Sequence, residues 1–239
     1  MKKTISFPIV ILLFVYMLPN CVLANTEIDF TYSTETNIMK KDTIGKIESW
    51  IKKNMKEGKI PGVSVVIVYG DKTIYSRGFG YANTKAKKPV NSDSLFELGS
   101  TSKAFTALGI LKLEKEGHIR LRDHVKKYIP WFEMKYTGEH RGKKITSNVD
   151  ITLNHLLHHT SGIPFKSRGD IPVTAGEDAL EKTVRTQVGK ELDFYPGDKF
   201  LYSTINYDIL GLVIQNVSGN SFEQYIKKNI LELLGLDNT

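Results

Sequence analysis

A serine and a lysine three residues apart on a helix share a face. The amine then lies beside the hydroxyl and can take its proton, which turns the serine into a nucleophile for acyl transfer. The chain holds this spacing twice, at Ser49 to Lys52 and at Ser100 to Lys103. The surroundings of the two serines differ. Ser49 falls inside an amphipathic stretch whose apolar stripe occupies other positions, so Lys52 reads as a solvated surface residue. Ser100 follows Gly99 and opens the apolar run from Ala104 to Leu111. That places its hydroxyl at a helix start, where backbone N–H groups lack partners and the dipole is positive. Burial at such an end favours the neutral amine, the form that accepts a proton. The same residues also suit a capping serine with a lysine whose stem lies along apolar surface.

Other chemically capable residues are weaker. His155 and His159 stand one helical turn apart with His158 between them, but no glutamate sits between them in the zinc-protease pattern and no third ligand is evident, so no metal is assigned. Arg168-Gly169-Asp170 and the sequon Asn216-Val217-Ser218 are short enough to arise by chance and are given no function.

The elements that must carry Ser100 follow from periodicity. Ile44, Ile47, Trp50, Ile51 and Met55 recur at helical spacing, with Asp42 or Thr43 as N-cap and Gly58 as stop. Val63 to Tyr69 and Thr73 to Tyr81 read as a hairpin turning at Gly70-Asp71, with a bulge expected at Gly78 and Gly80. The run from Ala104 to Leu111 is apolar on nearly every side, which predicts a helix buried all round. From Arg122 onward the segments read as mostly helical, including Leu153 to His158 and Tyr207 to Val217. Loops are expected at Pro130, at Gly138 to Ser147 and from Ser161 to Gly176.

The segment Phe96-Glu97-Leu98-Gly99-Ser100-Thr101-Ser102-Lys103-Ala104-Phe105-Thr106-Ala107-Leu108 resembles the active-site segment of the serine β-lactamase-related family. The nearest branches are the class C β-lactamases, the penicillin-binding proteins and the D-aminopeptidase- or esterase-like hydrolases. Further segments resemble the family in order: Leu113 to Pro130, then Ile151 to Gly162 with His158-His159-Thr160-Ser161-Gly162, then Tyr195-Pro196-Gly197, then Tyr202 to Gly211. The resemblance implies an α/β fold of two lobes, an antiparallel sheet lobe and a helical lobe from about Arg122, with the site between them. It implies Ser100 as nucleophile, Lys103 as base and Tyr202 as the third catalytic group, a phenol that shares the proton relay. Lys103 and Tyr202 are both candidates to deprotonate the serine first. It also makes the histidines a structural helix end near the floor of the site.

Two departures from the family pattern bear on chemistry. Two places after the tyrosine, where the family usually carries an asparagine whose amide binds substrate, stands Thr204, a shorter side chain with a different donor pattern. The family's third element, a basic or histidine residue followed by glycine on a later strand, has no counterpart before Thr239. The chain is therefore expected to be incomplete at its C-terminus, with one of two oxyanion N–H groups missing and the Val63 to Val68 strand left with an exposed edge.

Met1-Lys2-Lys3, the apolar run from Phe7 to Leu18 and Val22-Leu23-Ala24 read as a secretory signal peptide cut after Ala24. An extended leader, 25–41, and a hydrolase domain, 42–239, follow. The run is too short to span a bilayer, for which about twenty residues are needed. The membrane is thus involved only if the signal segment is kept. The single cysteine, Cys21, leaves with the signal; its setting resembles a lipoprotein cleavage box except for Asn20. The mature chain then has no disulfide or thiolate chemistry. Removing Lys2 and Lys3 from 33 basic residues leaves 31 against 26 acidic ones, a net charge of +5 in place of +7. The lysines are scattered and lack aromatic interleaving, so no nucleic-acid partner is expected.

The sequence thus predicts an exported serine hydrolase of the periplasm, envelope or medium. It would act without a cofactor on a small-molecule or peptide amide or ester. Candidate substrates are a cell-wall D-amino-acid peptide, a β-lactam, an ester or an N-acylated peptide. The alternative is a non-catalytic relative, or an inactive fragment, that binds peptidoglycan-type ligands without turnover.

Overall fold

At about 100° per residue, Ile44, Ile47, Ile51 and Met55 return to one side of a helix, and they build the inner face of α1 (Lys41–Gly58). The computed structural model describes residues 39–168, 176, 178–236 and 238–239, so the signal segment, most of the leader and part of the loop after Arg168 lie outside the described residues. Trp50 falls off the arc those four residues share, and it is 53% exposed rather than part of the stripe. Lys40, with no side-chain cap, holds the N-cap position expected for Asp42 or Thr43; Asp42 lies in the first turn, where its charge faces the positive helix end.

The chain divides into two compact units after Leu98. In the first, β1 (Gly62–Tyr69) pairs antiparallel with β2 (Lys72–Asn83), and β2 pairs with the short β3 (Lys88–Pro89). Ile51 and Met55 of α1 pack on Val63, Val65, Tyr75 and Phe79 of the hairpin. Glu48 fastens the same two elements together, accepting from Tyr75 Oη at 3.2 Å and from Arg77 at 2.5 Å. The expected bulge at Gly78 and Gly80 is not there; the register shifts at Ile67/Val68 and again at Tyr81/Asn83. The glycines serve close approach instead. A Cβ at Gly78 would run into the Val90 carbonyl, and one at Gly80 into the Pro61 carbonyl.

The second unit begins at Gly99 and is mostly helical: α2 (Ser102–Lys115), α3 (Leu153–Leu157), α4 (Ala179–Arg185), α5 (Ile205–Ser218) and α6 (Phe222–Ile226). Its central element is α5, whose Ile205, Ile209, Leu210, Leu212, Val213 and Ile214 are all buried. It packs against α2, α3, α4 and α6. Burying aliphatic side chains of this kind stabilises by about 1.5–3 kcal/mol each. The helix expected to be buried all round, α2, is not. Thr106, Gly109, Ile110 and Leu113 face the core while Leu108 and Leu111 remain nearly half exposed.

Gly138 to Ser147, expected as a loop, belongs to a hairpin of β4 (Met134–His140) and β5 (Lys143–Val149). Arg141 and Gly142, both at positive φ, form its two-residue turn. Met134 and Tyr136 supply a buried face; the other strand, Lys143 to Asn148, is almost wholly polar, which hides the alternation.

Candidate active site

The Ser100 hydroxyl is brought to the start of α2 by a single tight turn, Gly99–Thr101, that runs directly into the helix at Ser102. One turn on, Lys103 directs its amine back along the helix and donates to Ser100 Oγ at 3.2 Å. The Tyr202 hydroxyl lies 2.8 Å from the same Oγ. The Lys103 amine also sits over two aromatic faces, 5.2 Å from the Tyr202 ring centre and 5.8 Å from that of Tyr207. Ser100 is exposed while Lys103 and Tyr202 are half-buried, so the hydroxyl is open to a substrate and its neighbours are held by packing.

Burial pushes the Tyr202 phenol up. Hydrogen bonds with Lys103 and Ser100, the Lys103 charge and a hydrogen bond with Thr204 outweigh that and hold Tyr202 below the usual tyrosine range. Thr204 stands at the N-cap of α5 without capping it. With Gly99, Ser100, Lys103, Leu180 and Tyr207 it lines a cleft of about 360 Å³. Thus Ser100, Lys103, Tyr202 and Thr204 meet in one place within the second unit. Ser49 does not belong there: it is exposed on α1 in the first unit.

Tyr202 is held from beneath by His159, which composition and spacing did not single out from its two neighbours. The His159 carbonyl accepts the Leu201 N–H at 2.8 Å, and its ring Nδ1 accepts the Ser203 N–H at 3.2 Å. The imidazole lies 4.5 Å from the Tyr202 ring. Asn206, fully buried in the first turn of α5, donates its amide to the same Nδ1 at 3.1 Å, and Ser161 Oγ donates to Asn206 Oδ1 at 2.8 Å. Burial, then the nearby Lys103 charge, holds the imidazole below the ordinary histidine range. Tyr207 is tied down separately, its hydroxyl donating to the Leu157 carbonyl at 3.1 Å.

The two histidines before His159, His155 and His158, cap the two ends of α3. His155 completes a capping box with Thr152, its Nδ1 accepting the Thr152 N–H at 3.3 Å, and His158 Nδ1 contacts the Asn154 carbonyl oxygen at 3.0 Å. Among the described residues no group of three or more His, Cys, Asp or Glu side chains is gathered to hold a metal. Asn216, the sequon asparagine, lies within α5 and donates to the Tyr128 carbonyl at 3.0 Å.

A mixed fold of helices and antiparallel sheets, with a serine, a lysine and a tyrosine converging at a helix start, defines a protein of the active-site-serine class. Residues 47–239 match the family model described as Beta-lactamase, and the chain belongs to this serine β-lactamase-related family of acyl-transferases and hydrolases. It is 37% identical over 201 residues to Protein flp of Staphylococcus aureus (strain COL), covering 84% of this chain and 39% of that protein. Among solved structures, it resembles the octameric penicillin-binding protein homologue from Pyrococcus abyssi at 34% identity and a TM-score of 0.64, over 81% of this chain and 43% of that one. EstCE1, a hydrolase with promiscuous acyltransferase activity, is similar at 26% identity and a TM-score of 0.66, over 80% and 51% of the two chains. The chain thus spans about two fifths to one half of the length of these relatives.

Proposed function

We propose that the chain is an exported serine hydrolase that transfers the acyl group of an amide or ester to water through a covalent intermediate on Ser100. The observation that carries the proposal is the Ser100 hydroxyl held between Lys103 Nζ at 3.2 Å and Tyr202 Oη at 2.8 Å. An ammonium group can only donate. Donation from Lys103 to Ser100 Oγ therefore leaves the serine proton directed at Tyr202. Tyr202, drawn toward its anion by the lysine, takes that proton as Oγ bonds to the substrate carbonyl carbon. The oxygen that becomes negative is stabilised by the Ser100 N–H at the start of α2. Tyr202 then gives the proton to the leaving oxygen or nitrogen, and that bond to carbon breaks. In the second half a water passes its proton to Tyr202 as it attacks the ester, and Ser100 leaves with the proton.

Substrates are drawn from cell-wall D-amino-acid peptides, β-lactams, small esters and N-acylated peptides. Likeness to a penicillin-binding protein homologue and to EstCE1 supports this range. Export rests on the signal segment 1–24; among the described residues no helix is long and apolar enough to cross a membrane.

The test is to incubate the protein with a fluorescent penicillin and with a fluorophosphonate, and to map the labelled peptide. Label confined to Ser100 and lost in Ser100→Ala is the expected result. Label on Ser49, or label that survives Ser100→Ala, overturns the assignment. Labelling without release of hydrolysed product would make the chain a ligand-binding relative.

A further inference from the structure

Four residues other than glycine have positive φ among the described residues: Lys59, Lys87, Arg141 and His159. The first three are exposed, in turns or at a helix end, where the left-handed conformation reverses the chain. His159 is the exception, buried at φ 55°. Histidine enters the left-handed region more readily than most residues, and in a buried one the contacts around it hold the conformation.

Those surroundings converge on Tyr202, the proposed proton carrier. The N–H groups on either side of Tyr202, those of Leu201 and Ser203, both end on His159, one on its carbonyl oxygen and one on its ring. The ring can accept only if Nδ1 is unprotonated, and Nδ1 faces two donors, the Ser203 N–H and the Asn206 amide. The Asn206 amide is not free to turn over, because Ser161 Oγ donates to its oxygen and itself accepts the Ile163 N–H at 3.2 Å. The Ser203 N–H, His159 Nδ1, the Asn206 amide and the Ser161 hydroxyl are thus linked in series, and each donor–acceptor direction follows from the one before. Reversal of any of them would leave a buried group unpaired, at a cost of about 1–3 kcal/mol.

We propose that His159 is a positioning residue for Tyr202: its neutral ring, locked by Asn206 and Ser161, accepts the Ser203 N–H and so fixes the Tyr202 hydroxyl against Ser100. The proposal rests on the reading of Ser100 as the acylated nucleophile. A proton on Nδ1 would point at two donors, release the Ser203 N–H and put a second positive charge beside Lys103. The groups that ionise around the ring are Lys103 from α2, Tyr202 before α5 and Tyr207 within it. The Lys103 charge opposes a proton on the ring, and the Tyr202 anion that would attract one is itself lost as pH falls. Acylation should therefore fall at low pH for two separate reasons, protonated Tyr202 and protonated His159.

The experiment is the rate of Ser100 labelling by a fluorophosphonate from pH 5 to 9 in the parent, His159→Asn and His159→Phe, with Ser100→Ala as blank. Asparagine tolerates left-handed backbone and places an amide oxygen where Nδ1 was, but does not titrate. Phenylalanine keeps a ring and loses the acceptor. In the parent, log rate against pH should steepen from a slope of about one toward two at the acid end, as a second proton is taken up. His159→Asn should stay within a few-fold of the parent at pH 8 and keep a slope of one throughout. His159→Phe should fall at least tenfold in rate. A parent-like rate in His159→Phe, or a second acid step that persists in His159→Asn, overturns the proposal. Because asparagine is the better fit for the backbone, a fold defect in His159→Phe leaves the His159→Asn profile to decide. Absence of label from Ser100 in the parent would instead sink the reading on which the proposal rests.

Discussion

The Ser100 and Tyr202 hydroxyls stand 2.8 Å apart across 102 residues of sequence. The two sides of this contact are set independently, Ser100 by the turn into α2 and Tyr202 by the segment pinned to His159. Removing either Lys103 or the Tyr202 hydroxyl should therefore remove chemistry and leave the fold. Lys103→Ala and Tyr202→Phe are each expected to slow Ser100 acylation by about 10²–10⁴-fold, the usual worth of a positioned acid or base. Stopped-flow labelling beside a thermal melt checks this. An unchanged rate in Tyr202→Phe would remove the phenol from the relay.

The pH dependence carries a sign. Tyr202 has its acid dissociation drawn below the ordinary tyrosine range, so its anion, the form that takes the serine proton, grows in as pH rises through a value lower than 10. Acylation should rise with pH and level off once pH has passed that value. In Lys103→Met the lysine charge and hydrogen bond are gone while burial still disfavours the anion, so the rising limb should move to higher pH. A limb that stays in place, or moves down, would mean that Lys103 does not tune the phenol.

Thr204 lines the cleft beside Ser100 and shares a hydrogen bond with Tyr202. Thr204→Asn lengthens the side chain and adds an amide that can donate to a substrate carbonyl while its oxygen accepts. Turnover of a substrate with an acylamino group next to the scissile bond should rise by about three- to tenfold, the yield of one net hydrogen bond of about 0.5–1.5 kcal/mol. A simple acetate ester, which has no such group, should show little change. Equal gains on both would assign the effect to Tyr202 rather than to substrate binding.

The Ser100–Lys103 contact was legible because three residues on a helix fix it locally. Tyr202 was reached only through the family resemblance, since no spacing rule spans 102 residues. His159 was visible as one of three histidines, yet its partners Ser203 and Asn206 lie 44 and 47 residues away, and what separates it from His155 and His158 is long-range hydrogen bonding. The misread elements fail for a related reason. Local apolarity cannot say whether a helix such as α2 is covered on one side or two, nor reveal a hairpin whose second strand, Lys143 to Val149, is mostly polar.

Gly162 connects the stability of the second unit to its chemistry, and a matched pair of substitutions separates the two causes of its requirement. Gly162 and Gly117 share a φ of 81°. A Cβ at Gly117 meets nothing within 4 Å, whereas one at Gly162 would run into the Phe194 carbonyl oxygen. Gly117→Ala therefore costs only the left-handed backbone, about 1–2 kcal/mol. Gly162→Ala adds displacement of a strap that the Gly162 carbonyl itself holds through the Asp193 N–H at 2.9 Å. A total of at least about 3 kcal/mol is expected, in the range typical of overpacking combined with strain. At about 2–4 °C per kcal/mol for a chain of this size, the melting point should drop about twice as far in Gly162→Ala as in Gly117→Ala. The adjacent Ser161 orients Asn206 and, through it, His159. Gly162→Ala should therefore also slow Ser100 labelling well below the melting point, while Gly117→Ala labels at the parent rate. If the two variants lose the same stability and label alike, the Phe194 strap yields to a methyl group and the path from Gly162 to Tyr202 is not as rigid as its hydrogen bonds imply.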